Sequence, residues 1–269
     1  MNLRSHLLYA RYYLSKVLLQ RTEFNKTKSM EGTKKGQSCF VFANGPSMNL
    51  LDTEKVLQYQ KNGMDVFCVN SYIISDIADT VVPDYYVLSD ERFFTNTETI
   101  IPANQIIHKL YHADIPVFVP ATFLKSIHLT NKYIFNDFGE YPSYNINPLK
   151  PRGYVSMTAY KALAIACFMG YSPIYICGFD NDQFKSISVD EHNEMWFEYA
   201  HYYDKIPMKQ KASQFFTHGS LANYLLDCSR LFKSLELFKN YYIVNLNTRG
   251  LIDVFTKQHV LDIYRENQC

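Results

Sequence analysis

Polar side chains follow several apolar runs of this chain, at the points where buried strands would end. These residues are Asn44, Asn70, Ser89 and Asp180. Because the carboxyl ends of parallel strands converge on one edge of an open sheet, we expect them to meet at one crevice. An Asn amide both donates and accepts hydrogen bonds, which suits the base or sugar of a nucleotide. Turns favour Asn, Asp and Ser for local reasons as well, but recurrence at one edge favours a binding site.

The first apolar run, 39–43, ends in the turn Asn44-Gly45-Pro46-Ser47. Gly45 can adopt backbone angles that other residues avoid, and Pro46 fixes its own φ. Ser47 is placed to cap a short helix, whose first N–H groups would then point into the crevice and suit a phosphate. An ordinary strand-to-helix turn explains the same four residues.

A second anion site is predicted where Arg152 and Ser156 precede Thr158 at the start of an Ala-rich helix over 156–169. The first N–H groups of a helix lack intrahelical partners and carry partial positive charge. A phosphate there would also accept hydrogen bonds from the two hydroxyls and the guanidinium. Helix capping alone is the competing interpretation.

The stretch His201-Tyr202-Tyr203 lies in a polar and aromatic segment, 181–218, which we interpret as a lid. A histidine that titrates near neutrality can take a proton from a hydroxyl, and tyrosine hydroxyls can stabilise a departing phosphate. His218 lies in the same segment. The pair Asp180 and Asp182 also forms an Asp-x-Asp pattern, whose carboxylates suit Mg²⁺ or Mn²⁺, although acidic turns are common.

Alternating strand and helix patterns from residue 39 onward predict an α/β, Rossmann-like fold with a mostly parallel sheet and helices on both faces. The predicted strands are 39–43, 65–69, 85–88, 115–119, 173–177 and 241–246. The predicted helices are 50–60, 102–111, 121–127, 156–169 and 220–239.

Charge is distributed unevenly along the 269 residues, whose net charge is +1. Residues 1–37 hold eight Lys or Arg against two Glu, a net +6, which leaves −5 for the rest. This distribution indicates that residues 1–37 alone bind an anionic surface. It does not indicate a basic groove for nucleic acid. Six cysteines without a Cys-x-x-Cys pair favour a reducing, cytoplasmic compartment.

Residues 1–24, hereafter the N-terminal segment, alternate leucines with Arg and Lys at helical spacing. Such an amphipathic helix can lie on an anionic membrane, which predicts a peripheral location on the inner face of the cytoplasmic membrane. A helix docked on its own domain is the alternative. Residues 25–38 have the composition of a linker, so we divide the chain into a lead over 1–37 and a catalytic domain over 38–269.

Taken together, these patterns resemble the bacterial sialyltransferases of glycosyltransferase family 42 and related surface-polysaccharide transferases. The matching blocks are short and lie at 42–47, 67–70, 162–171, 174–180 and 245–251. The resemblance implies an inverting, metal-independent transfer without a cofactor, from a CMP-activated nonulosonic acid to a glycan or lipid-linked glycan.

The resemblance also implies roles for individual residues. Asn44, Gly45, Asn70 and Ser89 would hold the cytidine monophosphate, and Thr158 falls where the family has a nucleotide-contacting Ser. The paired tyrosines of the family are missing, since Asn181 and Asp182 stand in their place. Two residues compete for the role of its basic histidine, and we favour His201 slightly over His218.

Three alternatives stay open. A metal-dependent transferase would use a UDP- or GDP-sugar at Asp180 and Asp182, because a diphosphate leaving group usually needs a cation. A pterin pyrophosphokinase-like enzyme shares the Asn-Gly-Pro-Ser opening but would need Mg²⁺ and ATP. A non-catalytic membrane scaffold explains the basic start and leaves the strand-end Asn residues without a role.

Overall fold

The structure is a computed structural model, which describes residues 3–95, 102–139, 144–204, 208–211 and 220–257. Its helices are α1 (Leu3–Tyr12), α2 (Arg21–Lys28), α3 (Thr53–Lys61), α4 (Asp76–Thr80), α5 (Ala103–Ala113), α6 (Thr158–Met169) and α7 (Leu221–Leu235). Its strands are β1 (Cys39–Phe42), β2 (Asp65–Val69), β3 (Tyr85–Val87), β4 (Val117–Pro120), β5 (Lys132–Phe135), β6 (Ile174–Cys177), β7 (Ser188–Val189), β8 (Met195–Tyr199), β9 (Met208–Lys211), β10 (Ile243–Asn245) and β11 (Thr256–Lys257).

Eight strands form one parallel sheet in the order β11-β10-β6-β1-β2-β3-β4-β5. The central strand β1 lies between β2 and β6, and all four of its residues are buried. Strand order reverses beside β1, so the crevice at its carboxyl end is where an open α/β sheet binds ligands. The predicted α/β fold with a mostly parallel sheet is confirmed.

Helices cover both faces of this sheet. Alternate residues of β1 face opposite ways: Phe40 and Phe42 join the apolar cluster that includes α3 and α5, whereas Cys39 and Val41 join the cluster around α6. Eleven of the twelve residues of α6 are buried, because it packs between the sheet and the end of α7. A helix that is apolar nearly all round is a core helix, and its start is therefore held rigidly.

The N-terminal segment packs against the body with one face. The rings of Tyr9 and Tyr12 each lie 5.2 Å from that of Phe138, and the Tyr12 hydroxyl bonds to Asp137 beyond β5. Thr27 of α2 is fully buried and donates to the carbonyl of Ile134 at 2.8 Å. The stretch predicted as a linker also contacts the sheet, because Lys34 forms a 2.7 Å ion pair with Asp65 of β2. In the described residues, no helix combines the length and apolar character needed to cross a bilayer.

Two predictions about elements differ from the structure. Residues 121–127 do not form a helix: only the single 3₁₀ turn Ala121–Phe123 is helical, and the Lys132 ammonium holds the carbonyls of Leu124 and Ile127 in place of a helical ladder. Strand β5 was not predicted, because its four residues form a short edge strand whose register depends on contacts with α2. The interpreted lid, 181–218, contains the small antiparallel sheet β7-β8-β9.

Candidate functional site

A cavity of about 460 Å³ opens at the carboxyl ends of β1, β2 and β6, and we call it the main cavity. Its wall includes the turn after β1, the turn after β2, the first turn of α6 and the loop at residues 200–204. The predicted site residues on this wall are Asn44, Gly45, Pro46, Asn70, Ser156, Thr158, Asp180, His201 and Tyr203. Residues that were distant in the sequence are thus brought together at the predicted sheet edge.

Two asparagine side chains on this wall present unused acceptors. The side-chain oxygens of Asn44 and Asn70 are buried, and among the described residues neither has a hydrogen-bond partner. Asn70 adopts a left-handed backbone with φ of 50°, which Asn tolerates better than most residues, and its carbonyl accepts from Tyr86 at 2.6 Å. A buried, unpaired amide oxygen costs about 1–3 kcal/mol. Such strain at a strand end is typical of a site that binds a hydrogen-bond donor.

Asp180 holds the turn after β1 in place. One carboxylate oxygen accepts from the backbone N–H and the hydroxyl of Ser47, each at 3.0 Å, and the other accepts from Asn247 at 2.8 Å. Burial raises the pKa of Asp180, and the hydrogen bonds from Ser47 oppose this effect. Ser47 is buried in this contact and is absent from the cavity wall. The predicted nucleotide contact by Ser47 is therefore replaced by a role in shaping the turn.

Gly45 is needed because this turn lies tightly against β6. A Cβ at Gly45 would lie 2.0 Å from the Asp180 carboxylate and 2.5 Å from the Gly178 carbonyl. The backbone of Gly45 is extended, with φ of −69°, so it is the lack of space rather than the backbone angle that requires glycine. A Cβ at Gly178 would likewise lie 2.5 Å from the Ala43 carbonyl, so the segments after β1 and β6 can pack this closely only because both positions are glycine.

The Asp-x-Asp pattern is split between two environments. The oxygens of Asp180 are directed at Ser47 and Asn247, whereas Asp182 pairs with the surface residue Lys185 at 3.5 Å. Among the described residues, no group of three or more His, Cys, Asp or Glu side chains is arranged to hold a metal ion. The geometry assigns Asp180 to the turn.

The predicted anion site at the start of α6 is present only in part. Ser89 and Thr158 share a hydrogen bond of 2.6 Å, which joins the end of β3 to α6. Arg152 points away: its guanidinium donates to the Tyr154 carbonyl and packs against Gly139, and it lines neither this cavity nor the one beside it. The prediction that Arg152 contacts the nucleotide is therefore not supported.

His201 lines the main cavity and contacts a carboxylate through one ring nitrogen. Its Nδ1 lies 3.1 Å from a carboxylate oxygen of Asp204, which also accepts from the His201 backbone N–H at 2.7 Å. Because a carboxylate can only accept, Nδ1 carries the proton and Nε2 keeps its lone pair. Burial lowers the pKa of His201, while Asp204 opposes the shift and Arg92 adds to it. The imidazole is thus oriented on the main cavity wall, with a pKa below the ordinary histidine value.

The two neighbouring tyrosines have different roles. Tyr203 stacks on His201 with ring centroids 4.8 Å apart and lines the main cavity. Tyr202 is buried, its hydroxyl donates to Ser75 at 2.6 Å, and it is absent from the cavity wall. The predicted catalytic role of Tyr202 is thus replaced by an anchoring role, since its backbone N–H also donates to the Asn44 carbonyl at 3.1 Å. His218 lies outside the described residues, so its role stays a prediction.

Sequence reasoning missed four residues that shape the site. Asp204 orients His201, Asn247 holds Asp180, and Arg92 clamps Asp90 through hydrogen bonds of 2.5 to 3.0 Å. Lys161 is buried at the start of α6, and its signal was visible as a single lysine within a long Ala-rich apolar run. Asn247 carries no sequence signal, because its partner Asp180 lies 67 residues away in the chain. Arg92 and Asp204 lie within three residues of their partners, but the local sequence does not show that these side chains meet.

Comparison with known proteins gives distant structural matches. No protein-family model and no curated protein sequence matches the chain. The MAf glycosyltransferase from Magnetospirillum magneticum AMB-1 matches 90% of this chain at 12% identity with a TM-score of 0.48, and the match spans 38% of that longer protein. The sialyltransferase CstII from Campylobacter jejuni, in complex with a substrate analogue, cytidine-5'-monophosphate, matches 86% of this chain and 88% of its own at 14% identity, with a TM-score of 0.44. Likeness at this level does not decide what the chain does, which has to be inferred from its own site.

Proposed function

We propose that the chain is a glycosyltransferase that binds a CMP-activated sugar in the main cavity and transfers the sugar to a glycan acceptor. The observation that carries this proposal is the pair of buried Asn44 and Asn70 oxygens, which have no protein partner among the described residues and line the same cavity as His201. Two amide acceptors suit the amine and hydroxyl donors of a nucleoside. The cavity volume of about 460 Å³ also lies in the range of small-molecule sites.

The proposed chemistry is a direct displacement. His201 Nε2 takes the proton of an acceptor hydroxyl, and the resulting oxygen attacks the anomeric carbon from the face opposite the nucleotide. The bond from the anomeric carbon to the phosphate oxygen breaks, the electron pair leaves with CMP, and the configuration inverts. A single phosphate can be stabilised by hydroxyls and by N–H groups at the start of α6, with Ser156 and Thr158 nearest to it. This route needs no cation.

Nucleotide binding tests the proposal. We expect CMP to raise the melting temperature without a metal, because a ligand at a hundredfold over its Kd adds about 2.7 kcal/mol to the free energy of unfolding. Asn44→Ala is expected to weaken CMP binding by roughly ten- to a hundredfold, since one buried hydrogen bond is worth about 1–3 kcal/mol. A thermal-shift panel of CMP, UDP, GDP and ATP, with and without Mn²⁺, measures the first effect, and calorimetry measures the second.

Asn49→Ala is the matched control, because Asn49 follows the same turn and is exposed. It should leave CMP affinity unchanged. Asn44→Ala should also change the melting temperature of the free protein little, since it removes an unsatisfied acceptor together with only a long, 3.5 Å hydrogen bond to the Val69 carbonyl. Stabilisation by UDP or GDP with Mn²⁺ alone would replace the CMP proposal by the metal-dependent one.

We further propose that the N-terminal segment attaches the protein to an anionic membrane surface, where lipid-linked acceptors are concentrated. Although this segment docks through Tyr9 and Tyr12, five of its leucines stay 50–79% exposed, namely Leu7, Leu8, Leu14, Leu18 and Leu19. Basic side chains at Arg4, Arg11 and Lys16 lie between them in the sequence. The docked segment thus keeps exposed apolar side chains interspersed with positive charge, as in interfacial helices.

Acidic substitutions at two of these exposed leucines test the membrane proposal. Leu8→Glu combined with Leu19→Glu is expected to abolish co-sedimentation with vesicles of phosphatidylglycerol and phosphatidylethanolamine. Each basic residue near such a surface contributes on the order of 1 kcal/mol, so binding of the unaltered protein should weaken at high salt. Leu225→Glu with Leu226→Glu, on the equally exposed face of α7, is the control. Equal sedimentation of both double variants would contradict the membrane proposal.

A further inference from the structure

A second cavity lies beside the main one, and we call it the side cavity. Its volume is about 320 Å³, and it is enclosed by the ends of β3, β4 and β5 and the start of α6. Asp90, Ser156 and Thr158 line both cavities, so the two spaces share a wall at the position proposed for the nucleotide phosphate. The remaining wall residues of the side cavity are Ser89, Glu91, Pro120, Phe123, Asp137 and Lys161.

Lys161 is the unusual residue of this wall. It is only 4% exposed, and its ammonium lies 5.6 Å from the centre of the Phe135 ring. The hydrogen bond that it makes is to the Ser156 hydroxyl at 3.1 Å, and no carboxylate of the described chain forms an ion pair with it. An ammonium has three donors, so two remain for another partner. Burying a charge without an anion is costly, so packing alone does not explain a lysine at this position.

The nearby carboxylates are already engaged. Both oxygens of Asp90 accept from Arg92, and Asp137 bonds to the hydroxyl of Tyr12. Glu91 lines the cavity but is exposed to solvent. The Lys161 ammonium therefore faces a polar space of about 320 Å³, and the carboxylates of Asp90 and Asp137 each accept a hydrogen bond from another side chain.

We propose that the side cavity binds an oxyanion, either a carboxylate or a phosphate, and that the Lys161 ammonium is its charge partner. That a nucleotide occupies the neighbouring main cavity rests on the proposed function, whereas the anion site itself does not. The oxyanion can belong to the nucleotide phosphate or to an acidic sugar, and the two sources are separable by experiment. Lys161 would then select for acidic substrates.

The protonation of Lys161 makes the site measurable. Burial, with the positive Arg152 nearby, lowers the pKa of Lys161 to about 7, and Asp137 and Asp90 oppose the shift. At about pH 8 the amine is thus mostly neutral, and an arriving oxyanion raises its pKa and draws a proton from the buffer. Affinity for the oxyanion should then fall by up to tenfold per pH unit above 7, with close to one proton taken up per ligand bound.

Calorimetry in buffers of different ionisation enthalpy tests the proposal on the full chain. Two pairs of probes show which group supplies the oxyanion. CMP is compared with cytidine, which lacks the phosphate, and glucuronate is compared with glucose, which lacks the carboxylate. The second pair is measured with and without CMP. We expect proton uptake with CMP or with glucuronate and none with their uncharged partners. Lys161→Met should abolish the uptake and weaken that probe by roughly ten- to a hundredfold, the worth of a charge-assisted hydrogen bond.

Lys161→Arg supplies the decisive comparison, because a guanidinium stays charged at every accessible pH. It should retain binding of the charged probe and lose both the proton uptake and the pH dependence. Lys161→Met should melt at or above the temperature of the unaltered protein, since it removes a buried charge, and Lys185→Met serves as a surface control. The proposal is overturned if proton uptake by both charged probes is absent or is unchanged in Lys161→Met. If glucuronate binds in a Lys161-dependent way while no nucleotide binds, the oxyanion site stands and the proposed function fails.

Discussion

Replacing His201 by alanine is expected to lower kcat by about 10²–10⁴, the usual contribution of a general base, while CMP affinity stays nearly unchanged. The reason is geometric. Asp204 bonds to Nδ1 at 3.1 Å and so places the proton there and makes Nε2 the basic nitrogen, while Tyr203 stacks on the ring. Turnover is measured as CMP released from an activated donor in the presence of acceptor, and affinity is measured by calorimetry.

His192→Ala is the control, because His192 is an exposed histidine on the turn between β7 and β8. It should keep normal turnover. If His201→Ala keeps normal turnover and His218→Ala loses it, the base is His218. If both variants stay fully active, neither histidine is the base, and the proposed mechanism is wrong.

The pH dependence follows from the direction of the pKa shift. Burial lowers the pKa of His201, and a protonated imidazole cannot accept a proton, so kcat should fall with decreasing pH only below the ordinary histidine range. Asp204 raises this pKa, which means that Asp204→Asn should move the acid limb of the profile to still lower pH. The same variant loses the orienting bond, and its plateau kcat should fall by about ten- to a hundredfold. A purely structural Asp204 would leave the limb in place.

Substituting Gly45 by alanine is expected to reduce both the stability of the fold and the affinity for CMP. The new Cβ would lie 2.0 Å from the Asp180 carboxylate and 2.5 Å from the Gly178 carbonyl, so the turn must move away from β6. Overpacking of this kind costs about 1–3 kcal/mol of the free energy of unfolding. Movement of the turn also displaces Asn44, which should weaken CMP binding beyond what the stability loss predicts. Urea unfolding and calorimetry measure the two effects.

Pro46→Ala is the matched control, since Pro46 is the next residue of the turn and is exposed. It should change the unfolding free energy far less than Gly45→Ala does. A normal urea midpoint for Gly45→Ala would show that the turn tolerates a shift of this size. The close approach would then not be what requires glycine at this position.

The sheet and its binding edge could be predicted because their signals are local. Each buried parallel strand is a short apolar run, and the polar residue that follows it is adjacent in the sequence, as Val69 and Asn70 are. The two elements that were not predicted correctly depend on partners that are distant in the sequence. Strand β5 bonds to the hydroxyl of Thr27, which lies more than a hundred residues earlier. In the run 121–127, the ammonium of Lys132 binds the Leu124 carbonyl, which a helix would have used in its own hydrogen bonds.

Side-chain roles were harder to predict than side-chain positions. Ser47 and Tyr202 were placed correctly near the site. Their hydroxyls, however, donate hydrogen bonds to structural partners, which are Asp180 and Ser75 respectively. Nothing in the local sequence shows where a hydroxyl points. Strand β8 lies in the segment 181–218, for which no strand was predicted, although its apolar and aromatic run at 195–199 is typical of a strand.

The order of strands in the sheet also sets an order in time. Phe42 of β1 pairs in register with Cys177 of β6, and 135 residues separate them. At a synthesis rate of about 5–20 residues per second, β6 is synthesised roughly 7 to 27 seconds after β1. During that interval one edge of a wholly apolar strand is unpaired, which is a template for aggregation. Nascent chains that stall before β6 should therefore depend on chaperones far more than the completed protein does.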